Sequence, residues 1–245
     1  MASRVLVPAA PAIDEAARYS VVLTDDSVEV RAAQRLRHEV FAGELGAKLA
    51  GDDSHDEDEF DAHCDHLIVY QDGTGMPVGT YRLLPPGRMD RLYSDTEFAL
   101  GNLRDLRPSL VEAGRSCVHP DHRGGAVVNL LWAGLARYMH LTGHRWLAGC
   151  ASVPAADAAG VWAKVKDKHL APPALRVTPH RPFDVSTPTA GRVAIPPLLR
   201  GYLRLGAWVG GAPADDPDFG CADLFTLLPL DRVDQRYMRH FLGET

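Results

Sequence analysis

Hydrophobic and polar positions change period several times along this chain, and each change marks an element. Tyr19 to Leu23 is a short β-branched run that predicts a first strand. Residues 27 to about 42 follow a helical period, with Val30, Ala33, Val40 and Phe41 on one face. Arg37 projects from that same face, while Arg31 and Arg35 point the other way. An arginine within an apolar stripe requires a buried anion or an outward route for its head group. Eight Asp or Glu residues then crowd between Asp52 and Asp65. They lead into two strands, His66–Tyr70 and Pro77–Leu84, joined by a Gly-rich turn.

A further strand is expected from about Leu110 to Val118, running into His119-Pro120-Asp121-His122-Arg123-Gly124-Gly125. The next helix spans about Ala126 to Thr142 and is closed by Gly143. Trp146–Val153 reads as a strand and Ala155–His169 as a helix. A proline-rich loop covers about 171 to 195, after which Pro196 opens a short helix to Leu205. Leu224–Leu228 is a late strand and Val233–Leu242 a terminal helix. This order predicts an α/β fold, one domain with a mixed central sheet flanked by helices. Residues 1 to about 18 read as an N-terminal tail, and 19–245 as the domain.

Composition narrows the function without naming it. The 245 residues are 46% hydrophobic and 24% charged, ordinary for a folded chain with one sizeable core. A net charge of −6 argues against a nucleic-acid-coating protein. Only Lys48, Lys164, Lys166 and Lys168 among the 26 basic residues are lysines, so arginine carries most of the positive charge. Cys64, Cys117, Cys150 and Cys221 are widely spaced, which suggests neither a zinc ribbon nor a disulfide framework. The N-terminal apolar stretch is too short and broken for a secretory signal, and no apolar span reaches membrane length. A reduced, cytoplasmic protein is expected.

The most specific chemistry lies at Val118-x-Pro120-x-x-Arg123-Gly124, where a strand turns into a helix. Backbone N–H groups and a helix start form an anion site in such a place. The pattern resembles the GNAT superfamily, and that resemblance implies a phosphate site for coenzyme A or a phosphopantetheine arm. Cys117, Val118, Arg123, Gly124, Gly125 and Ala126 would then hold the donor. The superfamily prefers small residues, usually glycine, where this chain has Ala126 and Val128. Valine disfavours close cradling of a pyrophosphate, whereas a single phosphodiester needs fewer donors.

A second constellation runs in order: Arg37-x-x-x-Phe41, Asp58-Glu59-Phe60-Asp61, Arg82, and Glu112-x-x-Arg115. It is similar to the GNAT branch shared by acyl-homoserine-lactone synthases and ornithine-lipid N-acyltransferases. The segments Pro196–Tyr202 and Asp218–Phe225 look closest to the ornithine-lipid side. This implies an acyl-carrier-protein thioester as donor and an amino-acid α-amine as acceptor. No tightly bound cofactor or metal is implied, and acyl carrier protein or acyl-CoA serves as co-substrate.

The residue types fit that chemistry independently. An amino-acid amine is mostly protonated near neutral pH, so a carboxylate must hold the ammonium and relay its proton; Glu112 is the candidate. Simple alternation sets Glu112 and Arg115 on opposite faces, but Gly114 permits a bulge that returns both to one side. Such a bulge also frees N–H groups near Ser116 to Val118 to polarise a thioester carbonyl. Arg115, Arg37 and Arg82 either hold the acceptor carboxylate or fix the acidic loop, and Asp58 and Asp61 order that loop. Asp52, Asp53, Asp56 and Glu57 read instead as a solvated surface. Cys117 is expected to be a buried thiol rather than a nucleophile, and His63-x-x-His66 lacks a third metal ligand.

Two other readings stay open: a short-chain acetyltransferase using coenzyme A, and a catalytically silent sensor of an acyl thioester or amino acid. Lys164, Lys166 and Lys168 could meet an acidic carrier protein. Arg200 and Arg204 beside Leu199, Tyr202 and Leu203 suit either a membrane-resting helix or an internal lid.

Overall fold

The computed structural model describes residues 4–7, 19–49, 54–187, 189 and 191–242. The chain divides into two compact units: Met1–Arg88, Ala113–Gly143 and Gln235–Thr245 form the first, Met89–Glu112 and His144–Asp234 the second.

Antiparallel strands form the first unit. β1 (Arg4–Val7) pairs with β2 (Tyr19–Thr24), β2 with β3 (Asp65–Gln71), and β3 with β4 (Met76–Leu84). β1 falls inside the stretch expected to be a tail. Val5 and Val7 register against Val22 and Val21, in a run too short and too close to Pro8 for periodicity to mark it. Residues 8–18 lie outside the described residues. β3 and β4 are buried along most of their length, so their apolar residues run on instead of alternating.

Asp26 opens α1 (Ser27–His38), its carboxylate accepting the Val28 and Glu29 N–H groups at 2.9 and 3.3 Å. At its end the helix widens into a π-type segment, Glu39–Glu44, where the Leu45 N–H donates to Val40 O at 3.1 Å. α2 spans Ala126–Thr142 and ends at Gly143 with φ 70°, as the pattern predicts. Two glycines let α2 lie close on the strands. A Cβ on Gly79 would stand 2.6 Å from Val127, and one on Gly134 would stand 2.9 Å from Leu67. α5 (Gln235–Leu242) packs on α2, with Phe241 stacked on Trp132.

The second unit centres on β11 (Cys221–Pro229), in which every residue is buried. β7 (Trp146–Pro154) pairs antiparallel along its whole length, and β9 (Trp208–Val209) and β10 (Ala214–Asp216) also pair with β11. β6 (Leu110–Val118) begins in this unit, parallel to β7, and that pairing ends at Glu112–Ala148. From Ala113 onward β6 belongs to the first unit, beside β4. A parallel pair among antiparallel ones gives the mixed α/β class expected.

α3 (Ala158–Val165) is shorter than its pattern suggests, because a 3-10 turn occupies Ala155–Asp157; Lys166 and Lys168 lie past its end. α4 (Pro197–Arg204) buries Leu199 and Leu203 in a core with Val153, Val161 and Leu224. Arg200 and Arg204 stay exposed. The apolar face of α4 is thus covered by the protein itself. The stretch between β4 and β6, which shows no clear period, holds 3-10 turns at Tyr93–Thr96 and Gly101–Ser109. Between those turns β5 (Phe98–Ala99) pairs with β8 (Thr178–Pro179). Among the described residues no helix is long and apolar enough to cross a membrane.

Candidate active site

In the first unit the arginine in the apolar stripe of α1 finds its buried anions. Arg37 is fully buried and donates to both oxygens of Asp61, at 2.7 and 2.9 Å. Its Nε donates to Asp56 Oδ2 at 2.7 Å, and its Nη2 also donates to the Asp56 carbonyl. Arg82, on β4, donates to Asp58 at 2.5 Å and to Asp61 at 3.2 Å, and lies over the Phe60 ring. Arg115, on β6, reaches Asp58 at 3.1 Å, and its Nε lies 3.1 Å from Asp56. Three arginines and three aspartates therefore balance in charge around one loop. Burial alone would raise the Asp61 carboxyl, but the hydrogen bonds and charge of Arg37, with the charge of Arg82, hold it far below the usual range.

The loop itself completes the network. The Asp58 N–H donates to Asp61 at 2.9 Å, and the Phe60 N–H donates to Asp58 at 2.9 Å. His66 is buried with its Nε2 3.2 Å from the Asp61 carbonyl, and burial first of all depresses its proton affinity. Its contact is with the loop, apart from exposed His63. Removing one partner from such a network strands a buried charge, at a cost of about 3–5 kcal/mol. Arg37, Arg82 and Arg115 thus all contact the acidic loop. Phe41 is buried in the π-type segment after α1.

Two details depart from the sequence reading. Asp56 is buried against Arg37, where a solvated surface was expected, while Glu57 is exposed and paired with Arg31 at 2.9 Å. Asp52 and Asp53 lie outside the described residues. The backbone irregularity in β6 sits at Arg115, with φ 52°, rather than at Gly114. Arginine is strained there, and its contacts with Asp56 and Asp58 hold it in place.

The loop after β6 carries the expected donor-binding residues. Pro120–His122 forms a 3-10 turn, and the Arg123 Nε donates back to Val118 O at 3.1 Å. Arg123 also grips Glu44 through two hydrogen bonds of 2.6 Å. His119 lies 3.4 Å from Glu39, so two acidic residues of the π-type segment meet this loop. Gly124 is open, and Gly125 at φ 100° starts α2 at Ala126 without a side-chain cap. Val128 is exposed on the first turn of α2. Cys117 is buried, and burial pushes its thiol up to about 12, so it stays protonated near neutral pH.

In the second unit Glu112 is buried and accepts three hydrogen bonds. Tyr93 N–H donates to Oε2 at 2.6 Å; Ser94 N–H and Oγ–H donate to Oε1 at 2.8 and 2.6 Å. All three donors come from the 3-10 turn Tyr93–Thr96. Ser94 leaves no mark in the hydrophobic pattern, because the turn follows neither a helix nor a strand period.

Comparison with known proteins now bears on this arrangement. An acetyltransferase (GNAT) domain matches residues 36–133, which include Arg37, Asp58, Asp61, Arg82, Glu112 and Arg123. The L-ornithine N(alpha)-acyltransferase of Brucella abortus (strain 2308) is 35% identical, over 91% of this chain and 89% of its own length. The chain belongs to that family. The protein of the same name from Rhizobium meliloti (strain 1021) is 34% identical, over 97% of this chain and 88% of its own. Among solved structures, the CoA-dependent acyl-homoserine lactone synthase BjaI, with SAM and isopentyl-CoA, superposes with a TM-score of 0.54 at 16% identity. That match covers 89% of this chain and 82% of the synthase. FeeM, an N-acyl amino acid synthase from uncultured soil microbes, gives 0.52 at 14% identity, over 87% and 93% of the two chains. These likenesses concern the fold alone, and with the matched acetyltransferase (GNAT) domain they make the fold GNAT-like. As a member of the family, the protein is an N-acyltransferase that passes an acyl group from a thioester co-substrate to an amine.

Proposed function

We propose that this acyltransferase moves a long-chain acyl group from an acyl carrier protein thioester to the α-amine of an amino acid, ornithine first among the candidates. The observation that carries the acceptor is the naming of four relatives, 32–35% identical along most of this chain, as L-ornithine N(alpha)-acyltransferases.

The acceptor arrives as an ammonium, and Glu112 takes its proton, directly or through water. The neutral amine then attacks the thioester carbon. A C–N bond forms, and the carbonyl oxygen becomes an oxyanion facing N–H groups of Ser116 to Val118. The φ of 52° at Arg115 supports this, since it breaks the regular alternation of N–H groups just ahead of Ser116. Collapse of the intermediate breaks the C–S bond, and the departing thiolate takes up a proton. Arg115, with Arg37 and Arg82, keeps the Asp58–Asp61 loop ordered beside β6.

Arg123, Gly124, Gly125 and Ala126, with the backbone of Cys117 and Val118, receive the donor's phosphodiester. Exposed Val128 supports a donor with one phosphodiester over one with a pyrophosphate. Exposed basic residues such as Lys164 would meet an acidic carrier protein, and Arg200 and Arg204 a membrane surface. The unbridged cysteines support a cytoplasmic setting. Incubating the enzyme with carrier and CoA thioesters and an amino-acid panel, with products read by mass spectrometry, tests the proposal. An N-acyl amino acid from the carrier thioester is expected; its absence with every amino acid would overturn the acceptor assignment.

A further inference from the structure

The three donors that hold Glu112 are of two kinds. Two are backbone N–H groups, those of Tyr93 and Ser94, at 2.6 and 2.8 Å. The 3-10 turn that carries them is pinned. Asp95 accepts the Leu92 N–H at 2.8 Å and Arg107 Nη2 at 2.5 Å, and Thr96 Oγ1 donates to Tyr93 O at 2.6 Å. An amide N–H in such a turn can only donate, and only in one direction. The third donor, the Ser94 hydroxyl, reaches Oε1 at 2.6 Å, and a hydroxyl can both donate and accept. Ser94 is fully buried, so bulk water does not compete for it. Its oxygen also lies 3.3 Å from Cys150 Sγ. Cys150 stands on β7 two residues beyond Ala148, the residue that pairs with Glu112, and so on the same face of the strand. Removal from water, followed by the charge of Glu97, raises the Cys150 thiol well above its ordinary value. The sulfur therefore keeps its proton and offers lone pairs that accept weakly.

A general base must be stabilised in two protonation states. As a carboxylate, Glu112 is served by all three donors. Once it has taken the ammonium proton, the protonated oxygen carries a hydrogen of its own, and a second hydrogen aimed at it repels. The backbone N–H groups cannot relieve that contact; a hydroxyl relieves it by rotating about its Cβ–Oγ bond. We propose that Ser94 is the positioning residue of this base. Its hydroxyl donates to the Glu112 carboxylate, then turns to Cys150 Sγ and accepts from Oε1 when Glu112 is protonated. The inference rests on the role proposed for Glu112. The protons balance: the one from the ammonium goes to Glu112, and Ser94 keeps its own throughout. When Glu112 yields its proton to the departing thiolate or to water, the hydroxyl turns back. Oε1, whose partner can reverse, is thereby the oxygen that takes the proton.

Two readouts test this on the full-length enzyme. One is the titration of the Glu112 carboxyl by 13C NMR, assigned with Glu112→Gln, which needs no substrate. The other is the pH profile of turnover with L-ornithine and a palmitoyl-class carrier thioester. Ser94→Ala takes a donor from the charged form, so the Glu112 midpoint should rise by about one unit, and the acid limb of kcat/KM with it. Its kcat should fall roughly tenfold, with the ornithine KM within about twofold of the parent. Cys150→Ala leaves all three donors in place and tests the turn to sulfur even if Ser94→Ala does not fold. It should lower kcat roughly threefold without raising the midpoint, and Cys150→Ser, which restores an acceptor, should recover the rate. A Ser94→Ala midpoint equal to the parent's would overturn the inference while leaving Glu112 as the base wherever Glu112→Gln abolishes turnover. Parent-like kcat in Cys150→Ala would overturn the hand-over to sulfur. Parent-like turnover in Glu112→Gln would overturn the base and the inference together.

Discussion

Single side chains divide here between those that hold structure and those placed to do chemistry. Glu112 and Cys117 are both buried, so the group and its partners sort them rather than burial. Glu112 is held by three donors on a strand that its parallel partner accompanies no further, so its carboxylate has a fixed position. Glu112→Gln keeps the size and most hydrogen-bonding capacity but removes the base, and turnover should fall by roughly two to four orders of magnitude. Rates within threefold of the parent would take Glu112 out of the mechanism. Cys117 is the opposite case: its thiol, pushed up to about 12 by burial, is a poor nucleophile. Cys117→Ala should retain most of the activity, and an acyl adduct on Cys117 in intact-protein mass spectra would contradict this.

Glu97 makes a pH-dependent prediction at the same scale. Its carboxyl is raised from 4.5 to about 9 by burial and by its acidic neighbours. Between those values the folded protein keeps a proton that the unfolded chain has released. Its contribution to stability is thus complete below the lower value and disappears as pH rises through the upper one. From about pH 5 to about pH 9 the parent should lose more thermal stability than Glu97→Gln, whose amide does not titrate. Parallel melting curves for the two proteins across that range would refute the buried, protonated state.

Whole elements were legible where both ends carried backbone signals. Gly125 and Gly143 bracket α2 at left-handed positions, and a continuous helical pattern lies between them, so its observed bounds match the expected ones. α3 came out shorter because an apolar pattern does not distinguish a 3-10 turn from the first turn of an α-helix. The arginine in the stripe of α1 called correctly for a buried anion, yet Asp56 was assigned to the surface: a run of acids reads alike whichever members turn inward. Tyr93, Ser94 and Glu97 escaped because short 3-10 turns have no period to follow. Asp223 did leave a trace, one acid within a long apolar strand, whose meaning needed its neighbours in space.

The contact between the π-type segment and the donor loop has a consequence of its own. Glu44 occupies both Nη groups of Arg123, the same groups a donor phosphate would use. Both side chains are partly exposed, so the pair should contribute little to stability. Glu44→Gln should therefore leave the melting temperature nearly unchanged and lower the donor KM roughly two- to fivefold at low salt, with kcat preserved. An unchanged donor KM would remove Arg123 from the phosphate site.

For the molecule as a whole, the question is which donor the fold was built to take. A GNAT fold accepts thioesters of either coenzyme A or a carrier protein, and fold alone does not discriminate between them. Local features do. The phosphate loop has Ala126 and Val128 where glycine would allow the closest backbone approach, and valine restricts that approach sterically. A pyrophosphate needs more N–H donors at close range than a phosphodiester, so on the proposed reading this loop would penalise coenzyme A more than a carrier-borne arm. Chain length gives a second lever, because each methylene taken out of water contributes about 0.8 kcal/mol. A long acyl chain can therefore outweigh the phosphate contacts in selecting the donor. The third lever is charge: docking of an acidic carrier onto exposed arginines and lysines is attractive and screened by salt. Together these predict a higher kcat/KM for a palmitoyl-class carrier thioester than for acetyl-CoA, and a KM for the carrier that rises with ionic strength. Palmitoyl-CoA separates the levers, since it shares the chain but lacks the protein surface, and its KM should respond less to salt. Equal or better use of acetyl-CoA would sink the long-chain carrier assignment while leaving the enzyme an N-acyltransferase.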